Sequence, residues 1–255
     1  AFTLETDPRR VPLFEERTWP DIAEAVAAGA PVIVPLGATE QHGPHLPLQN
    51  DFLMAEYFKS RIRQRADVVI APTVNYHYYP AFVEYPGSTC LRLETARDMI
   101  VDICRCLARF GPHRFYVLNT GVSTVRALEP AAELLAKDGI ILRYTDILHV
   151  AKEAEASVSQ QEGGTHADEI ETSMMLYIAP HAVDMSKAAN DYDPRPRKGP
   201  LTRNPDGDGH YSPTGIYGDA TLATCRKGRI VVEATVAGIL REIEELRGQD
   251  WPERE

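Results

Sequence analysis

Glu40 and His42 stand two residues apart in the stretch from Gly37 to Asp51, and in extended backbone residues i and i+2 project to the same side. A carboxylate and an imidazole then face one point, which Asp51 can reach from the start of the next element. One imidazole with two carboxylates suits zinc, manganese or iron(II) better than calcium or magnesium, which favour all-oxygen shells. Gly43, Pro44 and Pro47 give the intervening path a rigid, bent course. The same residues also fit an ordinary polar loop with Asn50 or Asp51 as a helix cap, so spacing alone leaves both readings open.

Chemistry is concentrated a second time in Gly163-Gly164-Thr165-His166-Ala167-Asp168-Glu169-Ile170-Glu171-Thr172-Ser173. If a helix begins at Thr165, His166 and Glu169 share a face at i, i+3, Ser173 follows Glu169 at i+4, and Glu171 points elsewhere. Asp168 and Glu169 are equally the acidic residues that the positive end of a helix attracts, and Thr165 with Asp168 makes a near-capping box.

Strands and helices must bring these two segments together. The apolar run Val32 to Leu36 reads as a buried strand, and Gly37 to Asp51 is the loop at its exit. Helical spacing follows over Asp51 to about Arg65, then strand residues 68 to 70, a helix over Glu94 to Arg109 and a strand over Phe115 to Leu118. A helix over Val125 to Lys137, a strand over Ile140 to Tyr144 and a helix over Thr165 to Ile178 complete the series. Repeated strand, loop and helix mark an α/β chain with a mostly parallel sheet covered on both faces, and ligands bind such sheets at the carboxyl ends of the strands. A first helix is expected over Ile22 to Ala28 and a last one over Thr221 to about Arg247, with Gly228 and Gly238 weakening its continuity. Lys152 to Gly164 is polar and reads as a mobile surface segment; residues 190 to 213, rich in Pro, Gly, Asp and Arg, suit a long functional loop or an intersubunit arm. Residues 72 to 93 gather aromatic side chains, either to line a pocket or to pack the loop onto the sheet.

The 255 residues fit one domain, 1–255, with 44% apolar and 25% charged residues, as in ordinary soluble proteins. A net charge of −10 argues against non-specific nucleic-acid binding and against anionic membrane surfaces. Four cysteines without CxxC spacing suit a reduced, cytoplasmic protein, and Cys104 and Cys106 fall in a helical packing pattern. No apolar run approaches the ~20 residues of a membrane span, and Ala1 to Asp7 has neither a basic start nor an apolar core of a leader.

Read together, the two segments resemble the creatininase family of metal hydrolases. The family signature runs Glu, any residue, His, Gly, any residue, His, Leu, Pro and then Asp; this chain has Glu40-Gln41-His42-Gly43-Pro44-His45-Leu46-Pro47 with Asp51. The second signature, of the form His-Ala-Gly-Glu-x-Glu-Thr-Ser, is similar to His166 through Ser173, and Tyr85 to Ser88 and Gly218 to Ala223 also look like family segments. The resemblance spans about residues 30 to 240. It implies a three-layer α/β/α fold, often a homohexamer, around one or two metal ions holding a hydrolytic water. Position by position it implies Glu40, His42, Asp51 and Glu169 as metal ligands, with Asp51 bridging, and His166 in proton transfer.

One departure bears on the metal count. Where the family has Asn-Gly-His-Gly-Gly-Asn, this chain reads Asn119-Thr120-Gly121-Val122-Ser123-Thr124, so Gly121 stands in the place of a ligand histidine. The expectation is one firmly bound zinc or manganese at His42, Asp51 and Glu169, with Glu40 as a further ligand or as a catalytic base beside His166. His77 or His210 is a candidate replacement ligand, and His45 a residue that orients a ligand carboxylate. Tyr76, His77, Tyr78 and Tyr79, with Thr120 and Ser123, are the candidate contacts to a small-molecule substrate. The implied activity is hydrolytic opening of a cyclic amide or an activated ring ketone, a keto-inositol among them. The rival readings are a metal-dependent isomerase and an inactive binding protein.

Overall fold

In the run Val-Ile-Val-Pro-Leu, side chains alternate between two opposite faces, and all five are buried. The computed structural model describes residues 12–195 and 199–250. Its elements run α1 (Trp19–Ala27), β1 (Val32–Leu36), α2 (Asn50–Arg63), β2 (Val69–Ile70), α3 (Leu93–Ala108), β3 (Arg114–Asn119), α4 (Val125–Lys137) and β4 (Ile141–Tyr144). There follow α5 (Lys152–Val158), α6 (Glu169–Ile178), the short strands β5 (Asn190–Asp191), β6 (Leu201–Thr202), β7 (His210–Tyr211) and β8 (Gly218–Asp219), and α7 (Cys225–Gly248). The irregular start of the chain and residues 196–198 of the Pro-rich stretch lie outside the described residues.

Strands β2, β1, β3 and β4 lie side by side in that order, all parallel, with Leu36 opposite Asn119. Alternation along β1 divides the core. Val32, Val34 and Leu36 pack with Val26, Ile100, Cys104 and Leu128 of α1, α3 and α4. Ile33 packs on the other face with Met54 and Phe58 of α2, Met174 of α6, and Val232 and Val236 of α7. The result is the expected three-layer α/β/α arrangement. The chain leaves β1 for β2 on one side and later returns to β3 on the other, so the order reverses between β1 and β3. The loops after these two strands part there, leaving a crevice at their carboxyl ends.

Two segments differ from expectation, and a third holds where its glycines weakened it. The polar stretch after Lys152 is not a loose surface segment: Lys152–Val158 is helical, a short helix whose few apolar residues give no periodic signal. The helix expected from Thr165 starts only at Glu169, because His166 is bridged to Tyr217 in extended backbone and Asp168 is the cap. Helix α7 runs unbroken through Gly228 and Gly238. A Cβ at Gly228 would overlap the Ser173 carbonyl, so that glycine lets α7 press against the backbone of α6. Among the described residues no helix is long and apolar enough to cross a membrane.

Candidate metal centre

The loop after β1 is held before any ion is considered. Glu40 N–H donates to Leu48 O (3.1 Å), Gln41 N–H to Ser88 Oγ (2.9 Å), and the Thr39 hydroxyl to Asn75 O (2.9 Å). At Gly37 a Cβ would fall inside the backbone at Asp51, so glycine lets the start of α2 close against the end of β1. That contact brings Asp51 beside His42.

His42 Nδ1 lies 3.1 Å from the Glu40 carbonyl, which can only accept, so Nδ1 carries a proton and Nε2 is the nitrogen turned toward the carboxylates. Nε2 stands 3.0 Å from Asp51 Oδ1 and 3.2 Å from Glu171 Oε1, and it has no hydrogen bond of acceptable geometry. Asp51 Oδ2 and Glu40 Oε2 are likewise buried without partners. His42, Asp51 and Glu171 offer ligand atoms within 4.8 Å of one another, as do Glu40, His42 and His166.

Glu171, and not Glu169, therefore faces His42. The reason is the late helix start. Ala167 has φ +49°, and Asp168 is extended, its Oδ1 accepting from Ile170 N–H (3.0 Å) and Glu171 N–H (2.9 Å). With the first helical residue at 169, the face toward α2 falls on Glu171, whose Oε2 accepts from Ala167 N–H at 2.6 Å. Glu169 turns the other way, into an ion pair with Lys227. The signal for this was Asp168, a stronger N-cap candidate than Thr165.

His166 sits over the same centre. Its Nε2 is 2.7 Å from the Gln41 carbonyl and so carries the proton, leaving Nδ1 as the lone-pair nitrogen, 4.0 Å from Glu171 Oε2. Its ring stacks on Phe82 at 3.7 Å and lies 4.5 Å from the His42 ring. Gln41 is itself fixed: its side chain accepts from Gly43 N–H and donates to Gly215 O, both at 2.8 Å. Sequence reasoning missed Gln41 and Phe82 as supports of His166, though both lie in segments it had singled out.

Electrostatics match a cation site. Burial pushes the Glu40 carboxyl well above its usual range, with Asp51 adding to the rise. Burial also raises Asp51, against the pull of His42. Burial works against charge on Glu171 too, but His42, His166 and the Ala167 N–H outweigh it and bring the group down to about 2. For His42 burial favours the neutral ring, yet Glu171 and Asp51 more than reverse this. Converging carboxylates around an imidazole whose other nitrogen donates to a carbonyl form the donor set of a transition-metal or zinc ion, so the residues present fit such a group.

A cleft of about 470 Å³ opens over these residues. Of the expected substrate contacts, Tyr79, Thr120 and Ser123 line it, whereas Tyr76, His77 and Tyr78 do not. The Tyr79 hydroxyl is taken up by the Thr39 and Thr89 carbonyls, and the Thr120 hydroxyl donates to Leu36 O (3.1 Å) or Asp51 O (3.2 Å), bracing the loop. Tyr76 is largely exposed. Neither proposed replacement histidine reaches the centre: His77 is buried away from the cleft, and His210 lies edge-on to Tyr217 at 5.1 Å. His45 Nε2 meets Thr172 Oγ1 at 2.8 Å, not a carboxylate. After β3, Asn119 closes the loop on itself, donating to Gly121 O (2.7 Å) and accepting from Thr124 Oγ1 (2.6 Å). Helix α5 contributes Lys152 and Glu155, at i and i+3, and its C-cap Ser159 continues the polar cleft wall; burial pushes Glu155 up to about 7.

Comparison with known proteins places most of the chain beside one family. The family described as "Creatininase: Creatinine amidohydrolase" matches residues 15–243. A creatinine amidohydrolase of Pseudomonas putida is 29% identical over 254 residues, covering 90% of this chain and 95% of that protein. A mycofactocin precursor peptide peptidase of Mycobacterium tuberculosis is 28% identical over 246 residues, covering 92% and 93%. A 3-dehydro-scyllo-inosose hydrolase of Thermotoga maritima is 26% identical over 246 residues, covering 87% and 79%. Among solved structures, a manganese creatininase superposes with a TM-score of 0.78 at 26% identity, covering 91% of this chain and 97% of that one. A variant creatininase of Zn-Zn type gives 0.77 at 26% identity and the same coverage.

Proposed function

The chain belongs to the creatininase family, whose members are metal-dependent hydrolases, and on that premise we propose that it hydrolyses a compact substrate at an activated carbonyl over a single ion. The ion is held by His42, Asp51 and Glu171, with Glu40 alongside as a further ligand or a base. The observation that carries the proposal is the convergence of His42 Nε2, Asp51 Oδ1 and Glu171 Oε1 beside His166, whose Nδ1 lies 4.0 Å from Glu171 Oε2. The one-ion count rests on Gly121, which has no side chain to offer where the family has a histidine.

Zinc or manganese bound there supplies Lewis acidity, polarising a carbonyl and lowering the pKa of a water toward ~7. The chain does the rest. Gln41 O fixes the His166 tautomer, and Phe82 fixes the ring plane. His166 Nδ1 takes the proton from the attacking water and returns it to the leaving nitrogen or carbon. Glu171 stabilises the imidazolium formed between these transfers. A cleft of about 470 Å³ suits a small cyclic amide or a keto-inositol-like ring ketone.

Three relatives of similar identity act on creatinine, a peptide and an inosose, so the substrate is decided by assay. The protein is reconstituted with manganese or zinc, its metal content is measured, and it is offered creatinine, a short peptide and 3-dehydro-scyllo-inosose in ¹⁸O-water. One ion per chain and ¹⁸O in the product is the expected result. Deuterium exchange without ¹⁸O favours an isomerase, and a metal-free, inert protein a binding role. The homohexamer implied by the resemblance accords with exposed Trp19, Val83 and Phe110 and is measured by sedimentation.

A further inference from the structure

Glu169 is fully buried and forms its own network on the side of α6 away from His42. Its Oε2 accepts from Gln160 N–H (2.8 Å), Gln161 N–H (2.7 Å) and the Ser159 hydroxyl (3.3 Å). Its Oε1 pairs with Lys227 Nζ. Lys227 comes from the first turn of α7, where it also donates to Gln160 Oε1 (2.7 Å) and Leu222 O (2.8 Å). A buried carboxylate without partners is costly, so the lysine and the loop amides hold Glu169 as firmly as it holds them.

The segment bound in this way lines the cleft through Ser159 and Gln161 to Thr165. Gln161 extends the network: its Nε2 donates to Asp168 Oδ2 (2.7 Å), and its Oε1 accepts from Asp219 N–H (3.1 Å). Asp168 in turn caps the backbone N–H of Glu171. One polar chain therefore runs from α7 through the cleft wall to the residue that faces His42.

We propose that Glu169 and Lys227 are a positioning pair that clamps the 159–165 wall of the cleft without contributing to the metal centre. The proposal rests on reading the cleft as the substrate site, and it is tested without substrate so that failure of either can be recognised. Metal-free wild type, Glu169→Gln, Lys227→Met and Lys227→Arg are titrated with Mn(II) and followed by amide hydrogen exchange. Exchange in 159–165 should rise about tenfold or more in Glu169→Gln and Lys227→Met and return to near wild type in Lys227→Arg, while β1 and β3 stay protected. Mn(II) affinity should stay within about threefold of wild type in all three variants. If Lys227→Met does not fold, Lys227→Gln makes the same comparison with a neutral donor. Unchanged exchange in the wall overturns the proposal, as does a rise spread evenly through β1 and β3. A loss of Mn(II) affinity in Glu169→Gln overturns it by making Glu169 a ligand.

Discussion

Glu171 Oε1 stands 3.2 Å from His42 Nε2, while Glu169, two residues earlier on the same helix, is bound to Lys227. Two neighbouring glutamates thus face separate partners, assigned by where α6 begins.

Glu171→Gln keeps the shape and removes the charge that faces His42. It should weaken Mn(II) or Zn(II) binding by at least about tenfold and reduce hydrolysis by about 100-fold or more. Isothermal titration alongside the substrate assay is the check, and wild-type affinity in this variant would remove Glu171 from the centre.

His166→Gln should leave metal content at the wild-type level and lower kcat by about 10² to 10⁴-fold, the usual worth of a positioned acid–base group. Metal analysis and turnover on the same preparation separate this outcome from loss of the site. A fall in metal content would reassign His166 as a ligand.

His77 is fully buried, and burial brings its pKa down to about 4 against the opposing pull of the Ala96 backbone. Between about pH 4 and the ordinary histidine value near ~6.5, the unfolded chain binds a proton that the folded chain does not. Stability from this residue is complete above that window and is lost as pH falls through it. In His77→Phe, urea unfolding at pH 7 and pH 4.5 should show an acid-induced loss smaller than wild type by about 2 to 3 kcal/mol. Equal losses in the two proteins would refute the assignment.

Gly228→Ala adds one methyl where α7 crosses the Ser173 carbonyl. The helix propensity of alanine would favour the change by about 1 kcal/mol, but the overlap is with backbone and cannot be relieved by a rotamer. A net destabilisation of roughly 2 to 4 kcal/mol is expected by denaturant unfolding. A stabilised variant would show that the two helices can separate at little cost.

Elements with strong periodicity were legible in the sequence. The bounds of β1 and of α4 coincide with the expected ones, because their apolar residues repeat at strand and helix spacing. The loop from Glu40 to Asp51 was legible because its ligand types lie close together in sequence. Glu171 was not, because its direction depends on a left-handed Ala167 and on the capping choice of Asp168, both fixed by a pairing with distant Tyr217. Helix α5 was hidden by its polar composition, and the shared duties of Thr120 and Tyr79 by hydrogen bonds to carbonyls that no side-chain pattern reveals.

The places of the site residues along the chain also set a sequence of events in time. His42 and Asp51 lie on the segment leaving the first strand, but Glu171 is made only after every strand of the main sheet has been synthesised. An emerging chain can therefore offer an ion Glu40, His42 and Asp51 before Glu171 exists. On the proposed ligand set the site is complete only once α6 docks onto a finished sheet, so an ion bound there would stabilise the assembled fold rather than seed it.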